Sequence, residues 1–194
     1  MRNELNNNLL SPPIWLLERR RMLMMSKAVI PALEHPDAYM VVFDSDAVET
    51  GIIYGNGGIN RYILDGVETI PNSPVGSVTP STNGTHVLYF WLGSSNRLRN
   101  DSIVKYLRVP AEPEYWHGTF LYTNYRITGL DFLGETPPNF SSNFGTRYNW
   151  YTNSVLIRVP VGCGNAYRQA LASTGLKNQT IIETNNFNID INNF

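Results

Sequence analysis

Two glutamates, one cysteine and three histidines are the residues whose types suggest chemistry, and their spacing decides how far that goes. Glu112 and Glu114, in PAEPEYW, have the types of a glycosidase pair, one acid and one nucleophile or base. Two residues apart and beside prolines, they read as solvated turn charges. Nucleophilic catalysis needs a Ser or Cys close to a His and an orienting acid. The sequence has no GxSxG elbow, and Cys163 reads as a small residue in a Gly-flanked loop rather than a helix start with a base nearby. A lone cysteine forms no intrachain disulfide and no multi-cysteine zinc site. His35, His86 and His117 form no HxH or HExxH pair, and Asp44-Ser45-Asp46 lacks the rest of a calcium loop. The glycine-rich GNGGIN has neither the Lys-Ser/Thr of a P-loop nor a dinucleotide fingerprint, and reads as a turn. The expectation is a non-enzyme with no metal and no cofactor.

Binding has better raw material. Tyr115, Trp116, Tyr122 and Tyr125 form one aromatic group; Tyr148, Trp150 and Tyr151 form another, interleaved with Asn124, Asn143 and Asn149. Aromatic faces stack on sugar rings and Asn amides bond hydroxyls, which makes Tyr148, Asn149, Trp150, Tyr151 and Trp116 the candidate glycan-binding residues. Core packing is the competing role, and it weighs more for the group around Trp116. The residues of Tyr148-Asn149-Trp150-Tyr151 cannot all face inward.

The elements that must hold these residues are mostly strands. Only 16% of the 194 residues are charged, while Asn, Gly, Pro, Ser, Thr and Tyr are plentiful, which favours turns and half-buried strands over solvated helices. A formal net charge of -1 leaves no basic face for a phosphate backbone, so no nucleic-acid partner is expected. After a flexible start, Ser11-Pro12-Pro13 opens a helix over Pro13 to Val29, with apolar ends interrupted by Glu18 to Arg21. It reads as an anchor: Trp15, Leu16, Met22, Leu23 and Met24 dock into a partner while Arg19, Arg20 and Arg21 meet carboxylates. Packing on its own domain is the alternative reading. The segment is neither a signal peptide nor long and apolar enough for membrane insertion.

Residues 31–102 then read as short strands (YMVVF, TGIIYG, INRYIL, VLYFWL), with Asp65-Gly66 as a tight hairpin turn. From 103 on, IVKYLRVP, ITGLDF and SVLIRVP are strands, two of them stopped by the same Arg-Val-Pro, and a short helix over Asn165 to Ala172 covers the open end. The expected domains are an anchor at 1–30, a β module at 31–102 and a repeat-like module with a cap at 103–194.

GLDFLGETPPNF followed by SVLIRVPVGCGNAYRQAL resembles the closing segment of BspA-type leucine-rich-repeat surface proteins of gut bacteria: a strand, a Gly-x-Thr-Pro-Pro turn, then a strand ending V-P-x-G before a Tyr-containing helix. Gly134, Thr136, Pro137, Pro138, Val159, Pro160, Gly162 and Tyr167 carry the likeness, and RYILDGVETIP with NGTHVLYFWL resembles the small module ahead of such repeats. The resemblance implies a mainly β fold: an N-terminal helix, a small Ig-like β-sandwich, then a short degenerate leucine-rich-repeat-like solenoid with a capping helix. Regular repeats are nearly absent, and an Arg-rich segment stands where a secretion signal is expected. The resulting expectation is a tailed-phage virion protein, a head fibre or capsid decoration. Its partners would be capsid or other virion proteins, further copies in a homo-oligomer, and a host surface glycan. The alternative is an adhesin at the bacterial cell surface.

Overall fold

The computed structural model describes residues 29–31, 34–45, 58–93, 104–113, 116, 127–145 and 154–194. The expected helix over Pro13 to Val29 lies outside the described residues except at its end, where Val29 is a strand residue instead, since it pairs with Asp190. Its anchor residues Trp15, Leu16, Arg19, Arg20, Arg21, Met22, Leu23 and Met24 and the tetrad Tyr148 to Tyr151 also lie outside them.

The fold is mainly β. Strands β1 (Val29–Ile30), β2 (Tyr39–Ser45), β3 (Ile59–Leu64), β4 (Val67–Thr69), β5 (Gly84–Leu92), β6 (Val104–Val109), β7 (Gly129–Phe132) and β8 (Leu156–Val159) precede helix α1 (Gly164–Leu171). Strands β9 (Thr180–Glu183) and β10 (Ile189–Asp190) and a single 3-10 turn (Ile191–Asn193) follow it. Eight strands form one sheet in the order β4-β3-β5-β2-β6-β7-β8-β9, and β1 pairs with β10 separately. All ladders up to β2–β6 are antiparallel; β6–β7, β7–β8 and β8–β9 are parallel.

The sheet runs without a break across the expected boundary at 102/103, because β2 hydrogen-bonds to β5 on one side and β6 on the other. Every described strand from 31 to 102 lies in this one layer. The sequence of β2 supplies the reason: Tyr39-Met40-Val41-Val42-Phe43 is apolar at every position and buried throughout, so both faces of the strand are covered, which suits a central position. On one face Val41, Phe43, Leu88, Phe90, Leu107 and Leu130 join the larger core; on the other Met40, Val42, Val87 and Tyr89 join the smaller. Each fully buried Val, Leu or Phe of this kind contributes about 1.5–3 kcal/mol.

The β3–β4 hairpin turns at Asp65-Gly66, both with positive φ (48° and 81°), as the sequence predicts. Asp65 also ties the turn to the next strand, its carboxylate accepting from the Val87 N–H at 3.0 Å and lying 2.7 Å from His86 Nδ1. At the other end of the sheet α1 buries Gly164, Tyr167 and Leu171 on one side. The expected short helix is present, starting one residue earlier than the sequence suggests, but it does not cover the open end of the sheet: it connects β8 to β9, which pairs beside β8 as the edge strand. Cys163 is its N-cap residue but offers no side-chain cap, a correction to its reading as a loop residue away from any helix start. Glu183 from β9 supplies the missing acceptors, its two oxygens taking the N–H groups of Gly162 (2.7 Å) and Gly164 (3.0 Å).

Candidate functional site

The parallel ladder brings together three charged residues that are far apart in sequence. Arg108 of β6 pairs in register with Asp131 of β7, and Asp131 with Arg158 of β8, so the three form one row on one face. The two Arg-Val-Pro endings are therefore equivalent positions in alternate strands, with the Asp of GLDF between them. Arg158 grips Asp131 through two hydrogen bonds, Nε to Oδ1 at 2.8 Å and a terminal nitrogen to Oδ2 at 2.6 Å. Arg108 Nε lies 3.9 Å from the same carboxylate, and the Tyr106 hydroxyl donates to it. Asp131 and Arg108 are each 1% exposed. Burial raises the Asp131 carboxyl above the ordinary aspartate range, against the pull of the guanidiniums and the Tyr106 hydroxyl. Burial likewise raises the Tyr106 phenol, so its proton stays in place to donate.

What lies over this row is the chain itself. Residues 184–194 fold back across the face as a strap, and the guanidiniums hold it by its main-chain carbonyls. Arg158 donates to Asn186 and Asn188 at 3.3 and 3.0 Å, and Arg108 to Phe187 at 2.5 Å. Side chains of the strap shape its own bends: Thr184 accepts from the Asn186 N–H, Asn186 from Asn188, and Asp190 from Asn192. Beyond the row the Phe194 ring tilts against Tyr106 with 5.2 Å between centroids, and Lys105 Nζ donates to the Phe194 main-chain oxygen at 2.6 Å. Gly129 permits that close approach, since a Cβ there would lie 2.8 Å from the Tyr106 ring. A cavity of about 270 Å³ remains between strap and sheet, lined by residues that include Asp131, Arg158 and Phe194. The row is thus a fastening. Its carboxylate is met by one phenol and two cations, and the guanidiniums fix the strap.

A second concavity lies where β6 and β7 end. Pro110, Pro113, Trp116, Phe132, Pro137 and Tyr167 are among the residues around a half-open cleft of about 430 Å³. Trp116 is half-buried. Its ring meets Phe132, Phe140 and Phe144 at 6.4, 5.6 and 5.7 Å between centroids, and its Nε1–H donates to the Asn139 carbonyl at 2.9 Å. The Tyr167 hydroxyl donates to the Gly134 carbonyl at 2.8 Å, tying the helix to the floor of the cleft. Of the glycan candidates, Trp116 is the one among the described residues. It both packs on the core and borders a cleft.

The other sequence candidates are dispersed. His86 is buried with Nδ1 facing Asp65 and Nε2 facing the Thr82 carbonyl at 2.9 Å, so both nitrogens hold the framework. His35 packs edge-on against Tyr89 and Trp91 at 4.9 and 5.7 Å. Asp44 pairs with Lys105 and accepts from Thr85. Glu112 is exposed, and Glu114 and His117 lie outside the described residues. No group of three or more His, Cys, Asp or Glu side chains among the described residues is arranged to hold a metal ion. Sequence reasoning missed Tyr106, Arg108, Asp131 and Arg158, although Arg at the same offset before each proline, with Asp in the intervening strand, was the available signal. No protein-family model, curated protein or solved structure matches the chain.

Proposed function

We propose that this chain is a non-enzymatic structural protein of a tailed-phage virion, a head fibre or capsid decoration that displays its β part for adhesion to a host surface or glycan. The observation that carries the reading is the use made of the charged clusters: Arg108, Asp131 and Arg158 hold a strap by its carbonyls, and Glu183 caps a helix. Polar groups spent on fastening backbone suit a rigid display element. The parallel half corresponds to the degenerate leucine-rich-repeat-like solenoid. Its register partners Tyr106, Gly129, Leu156 and Thr180 recur at 23, 27 and 24 residues, within the about 20–29 of such repeats, and α1 is the crossover between the last two strands. The antiparallel half, whose described strands form one layer rather than a two-sheet sandwich, takes the place of the small module ahead of the repeats. In this reading the segment before Val29 is the anchor to capsid proteins and to further copies in a homo-oligomer.

Removing residues 1–26 tests it. Incorporation into particles and self-association in sedimentation are expected to disappear while the circular dichroism of the β part is retained; assembly that survives the cut overturns the reading. The Trp116 cleft also suits a second reading, an adhesin of the bacterial cell surface, and fractionation of infected and uninfected cells separates the two.

A further inference from the structure

We infer that the cleft at the ends of β6 and β7 is a binding site for an uncharged sugar, a neutral hexose unit of an oligosaccharide. The inference rests on the proposed role in glycan display and gives that role a location. The cleft, at about 430 Å³, lies within the range of about 300–1,000 Å³ usual for small-molecule sites. Among the described residues no charged side chain lines it. A sialic acid or uronate would give up hydration there without gaining a counter-charge, whereas a neutral sugar gives up much less. Charge complementarity therefore selects the neutral ligand.

Walls and rim divide the remaining work. Trp116 and the half-buried Pro113, Pro137 and Pro138 present apolar surface suited to the C–H face of a pyranose, with buried Phe132 behind them. They are already fixed: the prolines by their rings, and Trp116 by its aromatic neighbours and its bond to Asn139. Binding then orders few side chains, which lowers its entropic cost. Thr136 and Asn139 border the cleft, both exposed, and neither the hydroxyl nor the side-chain amide has an intramolecular hydrogen bond among the described residues. An amide and a hydroxyl each donate and accept, matching sugar hydroxyls, which do both. A proline-rich peptide is the other apolar occupant to consider. It docks between aromatic ridges, and here the prolines are on the protein's side.

The experiment takes the full chain against neutral oligosaccharides of glucose, galactose and mannose, and against sialylated and uronate-bearing ones, by glycan array and saturation-transfer NMR. Neutral ligands are expected to bind and acidic ones not. The double variant Thr136→Val, Asn139→Ala, at exposed positions, is expected to weaken binding by about tenfold or more with unchanged thermal unfolding. Trp116→Ala is read only after its circular dichroism matches the parent. Neutral-sugar binding that the double variant leaves intact puts the site elsewhere and overturns this inference while glycan display stands. Binding of proline-rich peptide alone, or of no neutral sugar, overturns it too. Sugar binding at the cleft in a chain never found on particles supports the site and sinks the virion assignment instead.

Discussion

The antiparallel and parallel halves of the sheet are held by different means. In the antiparallel half, β2 and β5 are buried on both faces by apolar side chains, with Tyr39 and Phe90 stacked at 5.2 Å and an interplanar angle of 12°. In the parallel half, Leu107, Leu130 and Ile157 cover one face, while the other is fastened by the Arg108–Asp131–Arg158 row and its strap. Non-directional burial tolerates small errors of fit, whereas a buried ionic row does not: removing one charge strands the others. The difference teaches that the parallel half gains positional definition more than stability from its charges.

Asp131→Ala breaks this contrast most severely. It leaves Arg108 buried without its carboxylate, at an expected cost of about 3–5 kcal/mol in urea unfolding. Hydrogen exchange is expected to quicken first in the strap and β6 to β8, before β2 and β5. Equal acceleration in both halves would show that the row stabilises the sheet as a whole. Leu88→Ala is the matched lesion in the antiparallel half, at a site that is 0% exposed, with an expected loss of about 2–5 kcal/mol by the same measurement. Exchange in the strap should then change only with global unfolding. Glu183→Gln keeps the shape of the side chain and removes the charge at the α1 N-terminus. A loss of about 1 kcal/mol is expected, read as a lowered thermal midpoint. The smallest effect belongs to Glu68→Ala on the outer hairpin, since Arg61 also lies over the Trp91 ring at 4.1 Å. The 2.6 Å pair of Glu68 with Arg61 is 48% and 40% exposed, so about 0.5 kcal/mol or less should appear, falling further with added salt.

Much of this architecture was legible in the sequence, and for unequal reasons. Local signals read true: Asp65-Gly66 turns the hairpin, VLYFWL and LIRVP form strands, and Tyr167 and Leu171 mark the buried side of the helix. Pairing between distant strands was less legible, because period-2 alternation says which side chains share a face but not which strand lies beside which. YMVVF, read as one strand of a separate module, is the centre of the whole sheet for this reason. Arg108 and Arg158 were visible only as part of a repeated ending; their partner became evident once β7 lay between them. The strap was missed although Phe187, Ile189 and Ile191 alternate with polar residues as in a strand, because only two of its residues join a ladder and its place is set by arginines about 28 to 80 residues away in the chain. Trp116 was legible as an aromatic candidate, while the cleft beside it depends on prolines from two separate turns.

The pairing of β1 with β10 sets a load path. Val29 and Ile30 lie opposite Asp190 and Ile189, so tension arriving from upstream of Val29 pulls first on a two-residue ladder to the peptide that the guanidiniums clasp. Once that ladder yields, the force passes along the chain to β2. A tether attached there would act first on a mechanical fuse, before strain reached the strands that carry the cleft.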